Sequence, residues 1–295
     1  MGCRMLGLVD SDEFPLALQN LPARLEEWEQ VLSRFRPDSE LCELNRMAGR
    51  DVGVSNVLWD VFVASREAEK QTFGLVNPLI MGALIQAGYD RSFDQVQNER
   101  FESELLLLQS PVPPLSEIVA DASAHRLCLP EGAQLDFGGV AKGWAASHAV
   151  RALSEYGPAL FSAGGDLAVS GPQSNGEPWE ISVDDPFRPG QFIEVLYLEH
   201  GGVATSGKDY RRWVRGGLPQ HHIIDPRTGV PAETDVLTAT VIAPTAELAE
   251  AFAKAILISG SEDGLAWLDG DANLAGLLIL ENGQMLYSRN MDDYL

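Results

Sequence analysis

The sequence predicts an α+β protein, with a helical N-terminal part followed by a mostly antiparallel sheet with intervening helices. Three observations carry that prediction. Leu18, Leu21, Leu25, Trp28 and Leu32 recur at helical spacing and make one apolar stripe. Beyond residue 115 the texture changes to short β-branched and aromatic runs separated by turn residues. Near the C-terminus two apolar runs meet at Asn282-Gly283, a strong hairpin signal. Helices first and strands afterwards is the pattern of an α+β architecture.

Taken in order, residues 1–9 read as a first strand ending in Asp10-Ser11-Asp12-Glu13, and residues 15–32 as the periodic helix. Asp38-Ser39 then cap a short helix from Glu40 to Asn45. A helix over 55–72 is ended by Gly74, and Asn77-Pro78 opens a shorter one that stops near Gly88. Residues 90–114 are polar, then Leu-rich, then Pro-rich, and read as an insertion or connecting arm. Strands are expected at 125–129, 159–163, 167–171, 179–183, 192–198, 203–205, 210–214 and 236–243, interrupted by helices at 140–156 and 245–259. The last strand pair is 274–280 and 284–288. No internal repeat or low-complexity tract is visible, so residues 1–295 read as one domain. A helical lobe at 1–114 and a β-rich lobe at 115–295 are compatible with that reading.

The 295 residues carry a formal charge of −22. Nucleic acid is excluded as the expected partner, because phosphate backbones need clustered Lys and Arg. An anionic membrane surface is equally disfavoured. Cys3, Cys42 and Cys128 are odd in number and lack C-x-x-C spacing, so neither a disulfide framework nor a zinc site is expected. No run approaches the ~20 apolar residues of a membrane span. These features point to a cytoplasmic protein, exported only if a leader precedes Met1.

Five segments carry candidate chemistry. In His221-His222-Ile223-Ile224-Asp225-Pro226-Arg227-Thr228-Gly229, a strand end meets a tight turn. Pro226 fixes φ, Asp225 can bond its own backbone, and Gly229 permits φ > 0, which leaves two imidazoles at a strand end. Residues 135–143, Leu-Asp-Phe-Gly-Gly-Val-Ala-Lys-Gly, form a Gly-rich bend feeding a helix. This is either a phosphate cradle with Lys142 adding charge or a bend packed tightly on a sheet. It matches neither the dinucleotide fingerprint nor the P-loop. Ser162-Ala163-Gly164-Gly165-Asp166 would admit a close backbone or ligand, and residues 204–212 make a hydroxyl-rich turn with cations beyond it. Residues 35–45 put Phe35 beside a capped helix.

In this order the segments resemble the FAD:protein FMN transferases, formerly described as thiamine-biosynthesis lipoproteins. The resemblance begins at Met1-Gly2-Cys3 and runs through Ser33-Arg34-Phe35, Asp38-Ser39-Glu40-Leu41 and Leu44-Asn45. It continues in residues 72–78, 136–143, 163–166, 204–207 and 222–229, and in the helix over 249–260, spanning nearly the whole chain. It implies a transferase that binds FAD, cleaves its pyrophosphate and passes FMN to a Thr hydroxyl of an acceptor flavoprotein, releasing AMP. The acceptor Thr would lie in an Asp-Gly/Ser/Ala-rich motif, and a divalent cation, usually magnesium, would assist. By matching position, Met1, Phe35, Leu75, Val76, Asn77, Asp136, Lys142 and Ile224 would contact the flavin cofactor. Gly139 and Glu250 would serve the metal, and His222 would be the base for the acceptor hydroxyl.

The chain departs from the family where the metal-binding helix should carry Asp and, four residues on, Thr. Here those positions hold Glu250 and Lys254. Glu can coordinate magnesium; Lys has no lone pair to offer. Glu before Lys at one helical turn is also a favourable ion pair of ordinary surface type. The sharper expectation is that Lys254 neutralises the pyrophosphate itself with Glu250 holding it. Two other readings share the sequence: an FAD pyrophosphatase, with water replacing the acceptor, and a non-catalytic FAD carrier.

Overall fold

A computed structural model describes residues 3–97 and 109–295. These fall into two compact units whose segments alternate along the chain. One comprises Met1–Glu26, Val140–Gly207 and Thr234–Leu295; the other comprises Glu27–Gly139 and Lys208–Glu233.

The first unit is built on a seven-stranded sheet in which every neighbouring pair is antiparallel. Its spatial order is Met5–Val9, Ala159–Ala163, Asp166–Ser170, His200–Gly207, Val236–Ala243, Ala275–Leu280 and Met285–Tyr287. Alternation along each strand sends successive side chains to opposite faces. Val203 and Ile242 join Trp179, Ile181, Leu196 and Leu277 in a core on one face, beneath the paired strands Trp179–Asp184 and Phe192–Leu198. The neighbouring Gly202 faces the other way, where a Cβ would lie 2.4 Å from Ala246 Cα at the start of the Ala246–Ser259 helix. All eight residues of Val236–Ala243 are buried, as a strand covered on both faces requires.

Ala246–Ser259 is apolar nearly all round and buries Ala249, Glu250, Ala251, Phe252, Ala253, Ala255 and Ile256. Thr245 caps it by accepting from Leu248 N. Gly143 lets the Ala141–Leu153 helix approach it closely, because a Cβ at Gly143 would sit 2.5 Å from Ala246 O.

The second unit holds the helices Glu40–Arg46, Asn56–Gln71 and Met81–Ala87 with a small antiparallel sheet, Val52–Gly53, Arg126–Cys128 and Val119–Asp121. Ser39 and Ser55 cap the first two helices through Cys42 N and Leu58 N. The Met81–Ala87 helix ends at Gly88 with φ +102, and Tyr89 N bonds back to Leu84 O. Trp213 Nε1 and Arg215 Nη1, from the strand Arg212–Arg215, donate to its last carbonyls at Ala87 and Gln86.

The α+β class and most elements agree with the sequence reading. The differences have local causes. Residues 203–205 belong to a longer strand, His200–Gly207, whose glycines hid its start. Phe93–Gln97 is helical within the stretch read as a connecting arm. A helix at Ser261–Gly270 was unforeseen; the glycines at 260, 264 and 270 weaken its local signal. Strand Leu218–His221 was also unforeseen; it accommodates Pro219 because it pairs on one side only. Among the described residues no helix is long and apolar enough to cross a membrane.

Candidate active site

The residues singled out by sequence gather in two places, one in each unit. In the first unit, two lysines and two carboxylates converge from three elements. Lys142 stands in the first turn of the Ala141–Leu153 helix, and Asp166 opens the strand after the Gly164-Gly165 turn. Glu250 and Lys254 lie one turn apart on Ala246–Ser259. Lys142 Nζ donates to Asp166 Oδ2 and lies 3.4 Å from Glu250 Oε1. Lys254 Nζ lies 3.7 Å from that same oxygen. The other oxygen of Glu250 accepts the Gly143 N–H at 2.8 Å.

The acids are inside and the cations toward the surface. The side chains of Asp166 and Glu250 are 2% and 1% exposed, whereas those of Lys142 and Lys254 are 23% and 16% exposed. The Glu250–Lys254 pair is therefore not an ordinary surface pair. Burial works against ionising Glu250, but Lys142, Lys254 and the Gly143 N–H together hold its carboxyl below the usual glutamate value. Burial pushes Asp166 up to about 6, with Lys142 opposing and Glu250 adding to the rise. Desolvation is likewise outweighed at Lys142, which the charges of Asp166 and Glu250 hold above the usual lysine range.

In the second unit Asp136 is the hub. Asn45 fixes its approach, donating to Leu135 O at 2.9 Å and accepting from Leu135 N at 2.8 Å. Asp136 N donates to Pro78 O, and Asp136 Oδ1 accepts from Gly138 N. Arg34 Nε meets Asp136 Oδ2 at 2.8 Å, while Arg34 Nη1 donates to Tyr89 O at 2.9 Å. The guanidinium carbon lies 4.2 Å from the Phe35 ring centre and 4.4 Å from that of Tyr89. Tyr89 meets the His222 ring edge-on at 6.5 Å. Phe35, Asp136 and His222 are thus joined through Arg34 and Tyr89.

Asn77 caps the turn at Pro78–Ile80 by accepting from Leu79 N and donates to Pro113 O. Leu75 and Val76 are buried, and the Val76 N–H is donated to Thr72 Oγ1. Ile224 is packed with Leu84, Ala87, Tyr89 and Trp213. The turn after it forms as expected: Gly229 N bonds to Asp225 O, Asp225 Oδ1 accepts from Arg227 N, and Gly229 has φ +70. Met1 lies outside the described residues. Gly139 ends its unit, one residue before the first unit resumes at Val140.

Sequence reasoning gave no role to Arg34, Tyr89 or Asp166. Asp166 stood in a segment valued for its small residues, and Arg34 inside a motif valued for Phe35. The signal for both was the pairing of a lone charge with an opposite one far along the chain, which spacing does not reveal.

The donor set does not fit a divalent cation. Among the described residues no three His, Cys, Asp or Glu side chains group as metal ligands would. Glu250 Oε1 accepts no hydrogen bond, but two ammonium groups flank it. An ammonium offers no lone pair and repels a cation at this range.

The geometry defines an α+β protein with a charge-balanced lysine–carboxylate centre at the opening of a helix. The chain belongs to the ApbE family, whose model matches residues 1–278. It is 30% identical over 297 residues to the FAD:protein FMN transferase of Treponema pallidum, covering 95% of this chain and 82% of that one. To the FAD:protein FMN transferase of Salmonella typhimurium it is 26% identical over 277 residues, covering 88% and 75%. The crystal structure of the ApbE protein of Thermotoga maritima superposes with a TM-score of 0.81 at 25% identity, over 99% of each chain.

Proposed function

We propose that this protein is an FAD:protein FMN transferase. It binds FAD, and a threonine hydroxyl of an acceptor flavoprotein attacks the phosphorus on the FMN side of the pyrophosphate. The Oγ–P bond forms, the bond to the bridging oxygen breaks, and AMP leaves with that oxygen. The observation that carries this reading is the buried centre of Lys142, Asp166, Glu250 and Lys254, in a chain related over 95% of its length to a transferase of that name.

Phosphoryl transfer is mostly positioning and charge neutralisation, so its catalytic groups need not be covalent participants. Lys142 supplies positive charge beside the Gly-rich bend, and Asp166 and Glu250 fix it. Earlier in the same segment Arg34 pairs with Asp136, and Asn45 bonds the Leu135 backbone. Phe35 is 45% exposed and offers an aromatic face for the isoalloxazine ring. His222 is the base that takes the hydroxyl proton, and its contact with Tyr89 supports the role by fixing the ring. The acceptor threonine lies in an Asp-Gly/Ser/Ala-rich motif, whose small residues let the backbone approach the centre.

The test is incubation of the protein with FAD and a domain carrying such a motif. Release of AMP together with an acceptor heavier by one FMN unit supports transfer. AMP without adduct would instead mark a pyrophosphatase, and bound FAD with neither product a carrier.

A further inference from the structure

We infer that this centre neutralises the phosphates of FAD with the ammonium of Lys254, acting beside Lys142, in place of a divalent cation. The inference rests on the transferase reading for the identity of the ligand, but its geometry stands within one unit.

Glu250 is the reason. Its carboxylate cannot reorient toward a metal, because Oε2 is tied to the Gly143 N–H at the first turn of the facing helix. Its Oε1 is the one oxygen without a hydrogen bond, and it is already bracketed by Lys142 Nζ at 3.4 Å and Lys254 Nζ at 3.7 Å. Lys142 also donates to Asp166, and each ammonium carries three N–H donors on a side chain that retains some exposure. Behind them the acids are almost wholly buried, while the lysine side chains retain exposure. The centre is therefore neutral as a whole, yet it presents its positive ends outward. A phosphate diester meeting it gains N–H donors and charge together, as charge-assisted hydrogen bonds provide.

A divalent cation would have to enter beside these two ammoniums with one carboxylate oxygen as its side-chain ligand. Lys254 does the same electrostatic work without that repulsion, and holds its place through the favourable Glu-to-Lys order one turn apart. No bond in the reaction changes on this account. Lys254 gains and loses no covalent partner.

The experiment measures FAD affinity of the full chain by flavin fluorescence in magnesium and in EDTA, together with Mn2+ binding by electron paramagnetic resonance. Wild type, Lys254→Thr and Lys254→Met are compared. The expected result is wild-type affinity unaltered by EDTA and no stoichiometric Mn2+ site with FAD bound. Lys254→Met weakens FAD by about tenfold or more, as loss of a hydrogen bond to a charged group should. Lys254→Thr is equally weak in EDTA and regains affinity with magnesium. If EDTA strips FAD from the wild type, if the wild type takes up one Mn2+, or if the variants bind FAD normally in EDTA, the inference is overturned. The wild-type arms decide even where a variant fails to fold. Metal-independent FAD binding with no modified acceptor would count against transfer while upholding the role of Lys254.

Discussion

The backbone N–H of Gly143 donates to the side chain of Glu250 at 2.8 Å, joining residues 107 apart in sequence. The contact exists because Gly143 lacks a Cβ and Glu250 is buried. It locks the start of one helix to the middle of another, and both lysines of the centre are positioned from those helices.

Gly143→Ala should therefore disturb fold and site together. The added Cβ would meet Ala246 O at 2.5 Å, a backbone atom that cannot swing away. Overpacking of this kind costs about 1–3 kcal/mol, read as a lowered thermal midpoint. FAD affinity should fall further than stability, because the helix shift also releases Glu250.

Lys142→Met should leave Asp166 and Glu250 as buried carboxylates short of a counter-charge. Removing one partner of a buried pair costs about 3–5 kcal/mol, with partial exposure of Lys142 favouring the lower end. Denaturant unfolding at neutral pH would measure it. An unchanged midpoint would show that the ion pairs are incidental.

Arg34→Lys tests the second unit. Lysine keeps the charge but cannot bond Asp136 and Tyr89 O at once while covering two rings. Loss of hydrogen bonds to charged groups costs about 1.5–3 kcal/mol, and FAD affinity should drop with it. Full FAD affinity in this variant would remove Asp136 from the ligand-positioning role.

Much of this was legible in the chain. The turn at Asp225–Gly229 was, because each of its residues has a conformational reason to be there, and so were the Ser39 cap and the Asn282-Gly283 hairpin. The Glu250–Lys254 spacing was legible too, but its burial was not. A Glu-Lys pair one turn apart has the same sequence on a wet helix and a buried one, and only the sheet beneath decides. The alternation of segments between two units was hidden for the same reason: it follows from long-range pairing such as Met5–Val9 with Ala159–Ala163, which no local pattern encodes. Arg34 and Asp166 depend on partners 102 and 24 residues away, respectively.

Burial and a hydrogen bond donated to Glu194 push the Tyr287 phenol from 10.0 up to about 12. A pKa raised on folding gives stability that is complete below the unfolded value and lost as pH rises through the folded one. The advantage of wild type over Tyr287→Phe should hold to about pH 10 and fade toward pH 12, with phenolate absorbance tracking the titration. Ionisation near the ordinary value would mean that the Glu194 contact does not form in solution.

The most direct measurement is the intact mass of a threonine-motif acceptor domain after incubation with this protein and FAD, in magnesium and in EDTA. The expected result is a gain of one FMN unit in both conditions, with AMP released in equal amount. An unmodified acceptor in both would contradict transfer, and modification confined to magnesium would contradict the lysine-based centre.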